Sequence, residues 1–120
     1  MNKLGILGEN LASKYLEKQR YQVLKRNYRQ KFGEIDIIAR SPDSTLIFIE
    51  VKTLLMKYED GFVPEDNFTT QKYDKVKRMC EFFAARYPGL INEERGWRLD
   101  LIAAYLFENG KYSIRHYENV

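Results

Sequence analysis

The chain has 120 residues, a net charge of +3 and a pI of about 8.9, with 44% hydrophobic and 14% aromatic residues. That length and composition fit one folded domain, residues 1–120, with a real core, and exclude a disordered chain. One cysteine, Cys80, excludes an internal disulfide and a cysteine-built metal site, and fits a reducing compartment.

No apolar run approaches the roughly 20 residues of a membrane span. The first 18 residues mix charged and apolar side chains, unlike a secretory leader. A cytoplasmic protein with no membrane partner is expected. The positive charge allows a polyanionic partner but falls short of a typical nucleic-acid footprint.

In chain order, Leu4, Leu7, Gly8, Leu11, Ala12 and Tyr15 recur at helical spacing, which predicts an amphipathic helix from Leu4 to Lys18. Glu9 lies at the flank of its apolar face, and spacing alone reads it as an exposed helical glutamate. Tyr21 to Arg29 reads as a strand. Its tail, Lys25 to Lys31, is basic with an interleaved tyrosine; it is either a phosphate contact through residues such as Arg29 and Lys31 or a solvated strand end.

Gly33 to Arg40 and Thr45 to Thr53 are two Ile-rich runs around Ser41-Pro42-Asp43-Ser44, a turn signal. They read as a β-hairpin. Leu54 to Asn67 contains Asp60-Gly61 and Pro64 and reads as a loop. Thr69 or Thr70 can cap the next helix. Tyr73, Val76, Cys80, Phe83 and Tyr87 give that helix a core-facing stripe, and Pro88-Gly89 stops it. Cys80 reads as a buried packing thiol. Arg98 to Leu106 and Tyr112 to Tyr117 read as two more strands. Apolar runs such as Leu101-Ile102-Ala103-Ala104 predict a sheet covered on both faces. His116, the one histidine, falls on an edge strand and reads as structural or exposed.

The chemistry concentrates in the hairpin. A turn centred near Asp43 sets Asp36 opposite Glu50, with side chains about 4.5–5.5 Å apart at Cβ. Lys52 shares Glu50's face, because strand side chains alternate with period two. Like charges that close repel unless a proton or cation lies between them, and charge on apolar strands is costly to desolvate. Two carboxylates with nearby backbone carbonyls suit magnesium. Glu34 can face Lys52 across the same hairpin, where it reads as a cross-strand ion pair.

An acidic residue, a hairpin and then Glu-x-Lys in an α-β-β-β-α-β order resembles the PD-(D/E)XK nuclease superfamily. The ordered set Gly8-Glu9, Asn27-Tyr28-Arg29, Gly33-Glu34-Ile35-Asp36, Phe48-Ile49-Glu50-Val51-Lys52-Thr53, Lys72, Arg98-Leu99-Asp100 and Ile114-x-His116-x-x-Asn119 narrows this. It is similar to the YraN-like family, small bacterial proteins related to archaeal Holliday-junction resolvases. The resemblance runs from about Gly5 to the C-terminus. It implies an α/β fold with a restriction-endonuclease-like α-β-β-β-α-β-β core, a mixed sheet flanked by helices.

The resemblance further implies that Asp36, Glu50, Glu9 and the Val51 carbonyl hold magnesium, with manganese as a substitute, and that Lys52 is the catalytic lysine. It raises Glu9 from an exposed helix residue to a site acid, and makes Lys72 a phosphate contact at a helix start. The implied function is magnesium-dependent hydrolysis of DNA, acting on structured or double-stranded substrates such as branched or damaged DNA. A homodimer is compatible with it. The alternatives are a nucleic-acid binding module with a weak or inactive site, and a protein-interaction scaffold.

Overall fold

The computed structural model describes residues 3–56 and 70–120, the side chains of 70–72 excepted. The elements are α1 (Lys3–Lys18), β1 (Gln22–Gln30), β2 (Gly33–Arg40), β3 (Leu46–Met56), α2 (Thr70–Arg86), β4 (Trp97–Phe107) and β5 (Tyr112–Tyr117). A 3₁₀ turn, Pro88–Leu90, follows α2. This is the expected α-β-β-β-α-β-β order. The five strands form one mixed sheet in sequential order, β1-β2-β3-β4-β5. All neighbours are antiparallel except β3 and β4, which are parallel. A parallel pair needs a crossover connection, and α2 lies in it.

The two helices cover opposite faces. Tyr73, Met79, Cys80 and Phe83 of α2 pack with Ile38, Phe48, Leu99 and Leu101. Ala12 and Leu16 of α1 pack with Ile37, Ala39, Ile47, Ile49 and Ile102. Because both faces are buried, the central strands are apolar throughout instead of alternating. Each fully buried Ile, Leu or Phe contributes roughly 1.5–3 kcal/mol. Among the described residues, no helix is long and apolar enough to cross a membrane.

The turn between β2 and β3 is closed by its own side chains. Ser44 N–H donates to Ser41 O at 2.9 Å. Asp43 accepts from the Ser41 hydroxyl, and from Thr45 through Oγ1 at 2.7 Å and N–H at 3.2 Å. These hydrogen bonds pull its carboxyl down to about 2. The hairpin register is the expected one, from Arg40 opposite Leu46 to Ile37 opposite Ile49.

Three expectations need correction. β3 does not end at Thr53 but continues to Met56, because Leu54, Leu55 and Met56 pair with Tyr105, Leu106 and Phe107 of β4. The remainder of the expected loop, residues 57–67, lies outside the described residues, as does Thr69. Tyr87 is 38% exposed and not part of the core, because α2 stops at Arg86 and the chain turns there. Glu34 does not meet Lys52. It sits directly opposite Arg29 of β1 and pairs with it at 2.9 Å.

Candidate active site

β2 is distorted where Asp36 stands. Regular alternation would put Ile35 and Ile37 on one face, yet Ile35 packs on the α2 side and Ile37 on the α1 side. The reversal faces Asn27 of β1, which lies between the pairs Arg26–Ile37 and Tyr28–Ile35 and takes φ +54°. Asparagine tolerates this left-handed backbone better than most residues. Beyond the Ile37–Ile49 pair, the Val51 N–H donates to the Asp36 side chain, at 2.8 Å from Oδ2. Strand irregularities of this kind re-aim side chains next to sites.

The result is a cleft of about 200 Å³ lined by Leu4, Gly5, Glu9, Asp36, Val51, Lys52 and Thr53. Gly8 brings α1 to it. A Cβ on Gly8 would collide with the Thr53 hydroxyl and lie 2.8 Å from Thr53 Cβ, so only glycine permits this approach of helix to strand. The next residue, Glu9, is 2% exposed. Its Oε1 accepts from Arg26 Nε at 3.1 Å and Asn27 Nδ2 at 3.0 Å. Arg26 is itself steadied by Asn10 Oδ1 at 2.7 Å.

Asp36 carries the strongest electrostatic signal. Burial pushes its carboxyl up to about 7, and the negative charge of Glu50 pushes the same way. The Val51 N–H opposes them, and Glu9 and Glu34 add smaller upward pushes. Glu50 is half-buried and pairs with Lys52 Nζ at 3.3 Å. A carboxyl pushed up by burial and by a neighbouring carboxylate is a common mark of functional sites.

The structure therefore brings Glu9, Asp36, Val51 and Lys52 to one cleft, with Glu50 joined to it through Lys52 and through its field on Asp36. It does not gather Asp36, Glu50 and Glu9 into one ligand group. Among the described residues, no three His, Cys, Asp or Glu side chains form a group that could hold a metal. The donors that fit a hard cation are the Asp36–Glu50 pair, whose mutual repulsion a cation relieves, with the Val51 carbonyl nearby in sequence. Arg29 and Lys31 lie at the β1–β2 hairpin, away from the cleft lining, and Arg29 is engaged by Glu34. The side chain of Lys72 lies outside the described residues.

Reasoning from the sequence missed the residues that hold the acids: Gly8, Arg26 and Asn27. It also missed a second buried cluster. Asp100 is fully buried and accepts from Arg98 Nε at 2.9 Å and from the Asn119 N–H at 3.0 Å, with His116 Nε2 at 2.7 Å. His116 Nδ1 meets the Tyr15 hydroxyl at 3.0 Å. Burial pushes Asp100 up, but the hydrogen bonds from His116, Arg98 and Asn119 outweigh it and hold the carboxyl below the usual range. This satisfied network ties α1, β4, β5 and the C-terminal residues together, and gives His116 a structural task. The signal was available: Arg98 and Asp100 are charged residues two apart on an otherwise apolar strand.

The chain belongs to UPF0102, an uncharacterised protein family whose model matches residues 8–104. That span includes the whole acid and lysine set. The family is the YraN-like one that the motifs resemble. A UPF0102 protein of Campylobacter lari is 36% identical over 113 residues, covering 90% of this chain and 93% of that protein. One from Caldicellulosiruptor bescii is 34% identical over 114 residues, covering 95% and 90%. Among solved structures, Pyrococcus furiosus SfsA in complex with Ca2+ aligns with a TM-score of 0.42 and 16% identity, covering 96% of this chain and 62% of that one. At that distance it assigns no residue a role.

Proposed function

We propose that the protein is a divalent-metal-dependent nuclease that hydrolyses DNA phosphodiesters. One observation carries this reading: buried Asp36, held near neutrality beside Glu50, opens on the same cleft as Lys52. Asp36, Glu50 and the Val51 carbonyl are the groups that would hold magnesium or manganese. Bound there, the metal would supply water activation and charge neutralisation at the phosphate.

The chain's own residues do the rest. The Val51 N–H fixes one Asp36 oxygen and leaves the other for a ligand. Lys52 holds a positive charge at the cleft, where it can orient a nucleophile or receive a phosphate oxygen. Glu9, fixed by Arg26 and Asn27, forms a polar wall of the cleft. The test is incubation of the protein with branched, nicked and linear DNA in the presence of magnesium or manganese. Cleavage is expected with wild type and absent with Asp36→Ala and Glu50→Ala. Cleavage that survives either substitution sinks the assignment.

A second reading, binding without cleavage, is favoured by the Glu50–Lys52 ion pair and the capped Glu9, which leave the charges of the site largely neutralised. It predicts salt-sensitive DNA binding with no product on any substrate.

A further inference from the structure

The hairpin joining β1 to β2 ends on an unexpected residue. Gln30 pairs with Gly33, so the loop is just Lys31 and Phe32. Such tight loops favour Gly, Asn and Asp for their backbone freedom. Phe32 offers none of that, and it is 54% exposed. Turn formation therefore does not explain it.

Its position is nonetheless firmly set. The Phe32 ring meets Phe82 of α2 edge-on, with centroids 5.2 Å apart and an interplanar angle of 83°. Gly33 takes φ +156° and lies so close to α2 that a Cβ would come 3.1 Å from Met79 Cγ. Despite this contact, more than half of Phe32 stays open to solvent. Phe82 in turn sits in a stripe on the outer face of α2. Lys75, Arg78 and Arg86, all exposed, fall seven and four residues before it and four after it, on one side of the helix. Lys31 adds a fourth cation at the loop itself. Asp74 and Glu81 flank the stripe, but form no ion pair with it among the described residues.

Exposed aromatic faces among cations are the physical signature of single-stranded nucleic-acid binding, in which bases stack and phosphates meet Lys and Arg. From this tip β2 leads directly to Asp36, four residues on, or about 13 Å at about 3.3 Å per residue. That is about four nucleotide rises.

We infer that this hairpin tip and the outer face of α2 form the substrate-reading surface, with Phe32 stacking on an unpaired base of the DNA. The inference rests on the nuclease reading above and narrows it. The substrate class is DNA carrying an unpaired base a few nucleotides from the scissile phosphate, as in a fork, flap or junction, and not continuous duplex.

The experiment measures fluorescence anisotropy of the full-length protein, in EDTA, with a labelled fork and a blunt duplex. The fork carries 2-aminopurine in its first unpaired positions. Phe32→Leu keeps an apolar contact with Phe82 but removes the ring. It is expected to weaken fork binding about tenfold, leave duplex binding within twofold, and abolish the 2-aminopurine fluorescence change. Phe32→Trp is expected to restore both. Fork affinity within twofold of wild type for Phe32→Leu, or an unchanged 2-aminopurine signal, overturns the inference. A protein that binds forks through Phe32 but never cuts refutes the nuclease reading alone. One that cuts, with Phe32→Leu cutting and binding as wild type, refutes the Phe32 inference alone.

Discussion

Asp36→Asn is expected to make the protein more stable and less functional at once. The carboxyl rises from 3.8 to about 7 on folding. At about 1.4 kcal/mol per unit, a rise of that size corresponds to roughly 4 kcal/mol of stability lost between acid and neutral pH. The sign follows from where protons bind. Below pH 3.8 both folded and unfolded chains are protonated at this site. As pH rises toward 7, the unfolded chain releases its proton while the folded one keeps it, so stability falls through that window and levels off above it. Water in the cleft and the attraction of Glu50 to Lys52 soften the repulsion, so a gain of about 1–3 kcal/mol for Asp36→Asn at pH 8 is the reasonable expectation. Asparagine keeps an oxygen for the Val51 N–H, so no buried donor is orphaned.

Urea unfolding at pH 4.5 and pH 8 in EDTA reads this directly. The gain should be present at pH 8 and largely gone at pH 4.5. Magnesium should stabilise wild type at pH 8 by mass action on the folded state, and leave Asp36→Asn unmoved. An Asp36→Asn variant less stable than wild type at pH 8 would refute the electrostatic account of this residue, and with it the reason for placing a cation there.

Three other substitutions test the frame of the cleft and the second buried cluster. Gly8→Ala drives a Cβ into Thr53 and should destabilise by about 1–3 kcal/mol, measured by denaturant unfolding, with weaker magnesium stabilisation because α1 shifts. Arg26→Ala leaves the buried Glu9 carboxylate with the Asn27 amide as its remaining side-chain donor among the described residues; a loss of about 2–4 kcal/mol is expected, largely recovered in the Arg26→Ala, Glu9→Gln double variant. Asp100, depressed in the folded state, contributes stability that is present above about pH 4 and is lost as pH falls through its lowered pKa. Asp100→Asn should lower stability at pH 7 and flatten the acid limb of the stability curve below about pH 4.

The hairpin was legible because two physical signals agreed. Ser41-Pro42-Asp43-Ser44 marks the turn, and Ile-rich runs on both sides leave one register that buries them, from Arg40–Leu46 to Ile37–Ile49; the expected Asp36–Glu50 opposition lies beyond the last of these pairs, where the Asp36 side chain instead accepts from the Val51 N–H. Glu34 was assigned to the wrong neighbour because the same arithmetic ignores β1, where Arg29 stands directly opposite it. Spacing alone reads Glu9 as exposed, and only the family resemblance marks it as a site acid, because a helical stripe shows which side faces the core but not how near the sheet comes. Gly8 sets that distance, and a glycine adds nothing to an apolar count. Leu54-Leu55-Met56 lacks alternation, so its pairing with β4 depends on a partner about 50 residues away and not on a local pattern.

Asn27 joins these observations. Its φ of +54° accompanies the reversal of side-chain faces that re-aims Asp36, and its amide holds Glu9. The amide nitrogen must point at Glu9 Oε1, which leaves Asn27 Oδ1 buried without a partner among the described residues, a burden of about 1–3 kcal/mol. A residue that is both in a left-handed conformation and incompletely hydrogen-bonded persists where the surrounding structure over-determines it, commonly at functional sites. The two roles can be separated. Asn27→Gly keeps access to the positive φ and removes both the clamp and the orphaned oxygen; Asn27→Ala removes the same groups but strains the backbone by about 1–2 kcal/mol. After the extra flexibility of glycine in the unfolded chain is allowed for, Asn27→Gly should remain more stable than Asn27→Ala by about 1 kcal/mol in urea unfolding, and should keep its magnesium response. If Asn27→Ala proves equal or more stable, backbone conformation is not what this position selects, and the face reversal at Asp36 must be held by β2 and β3 alone.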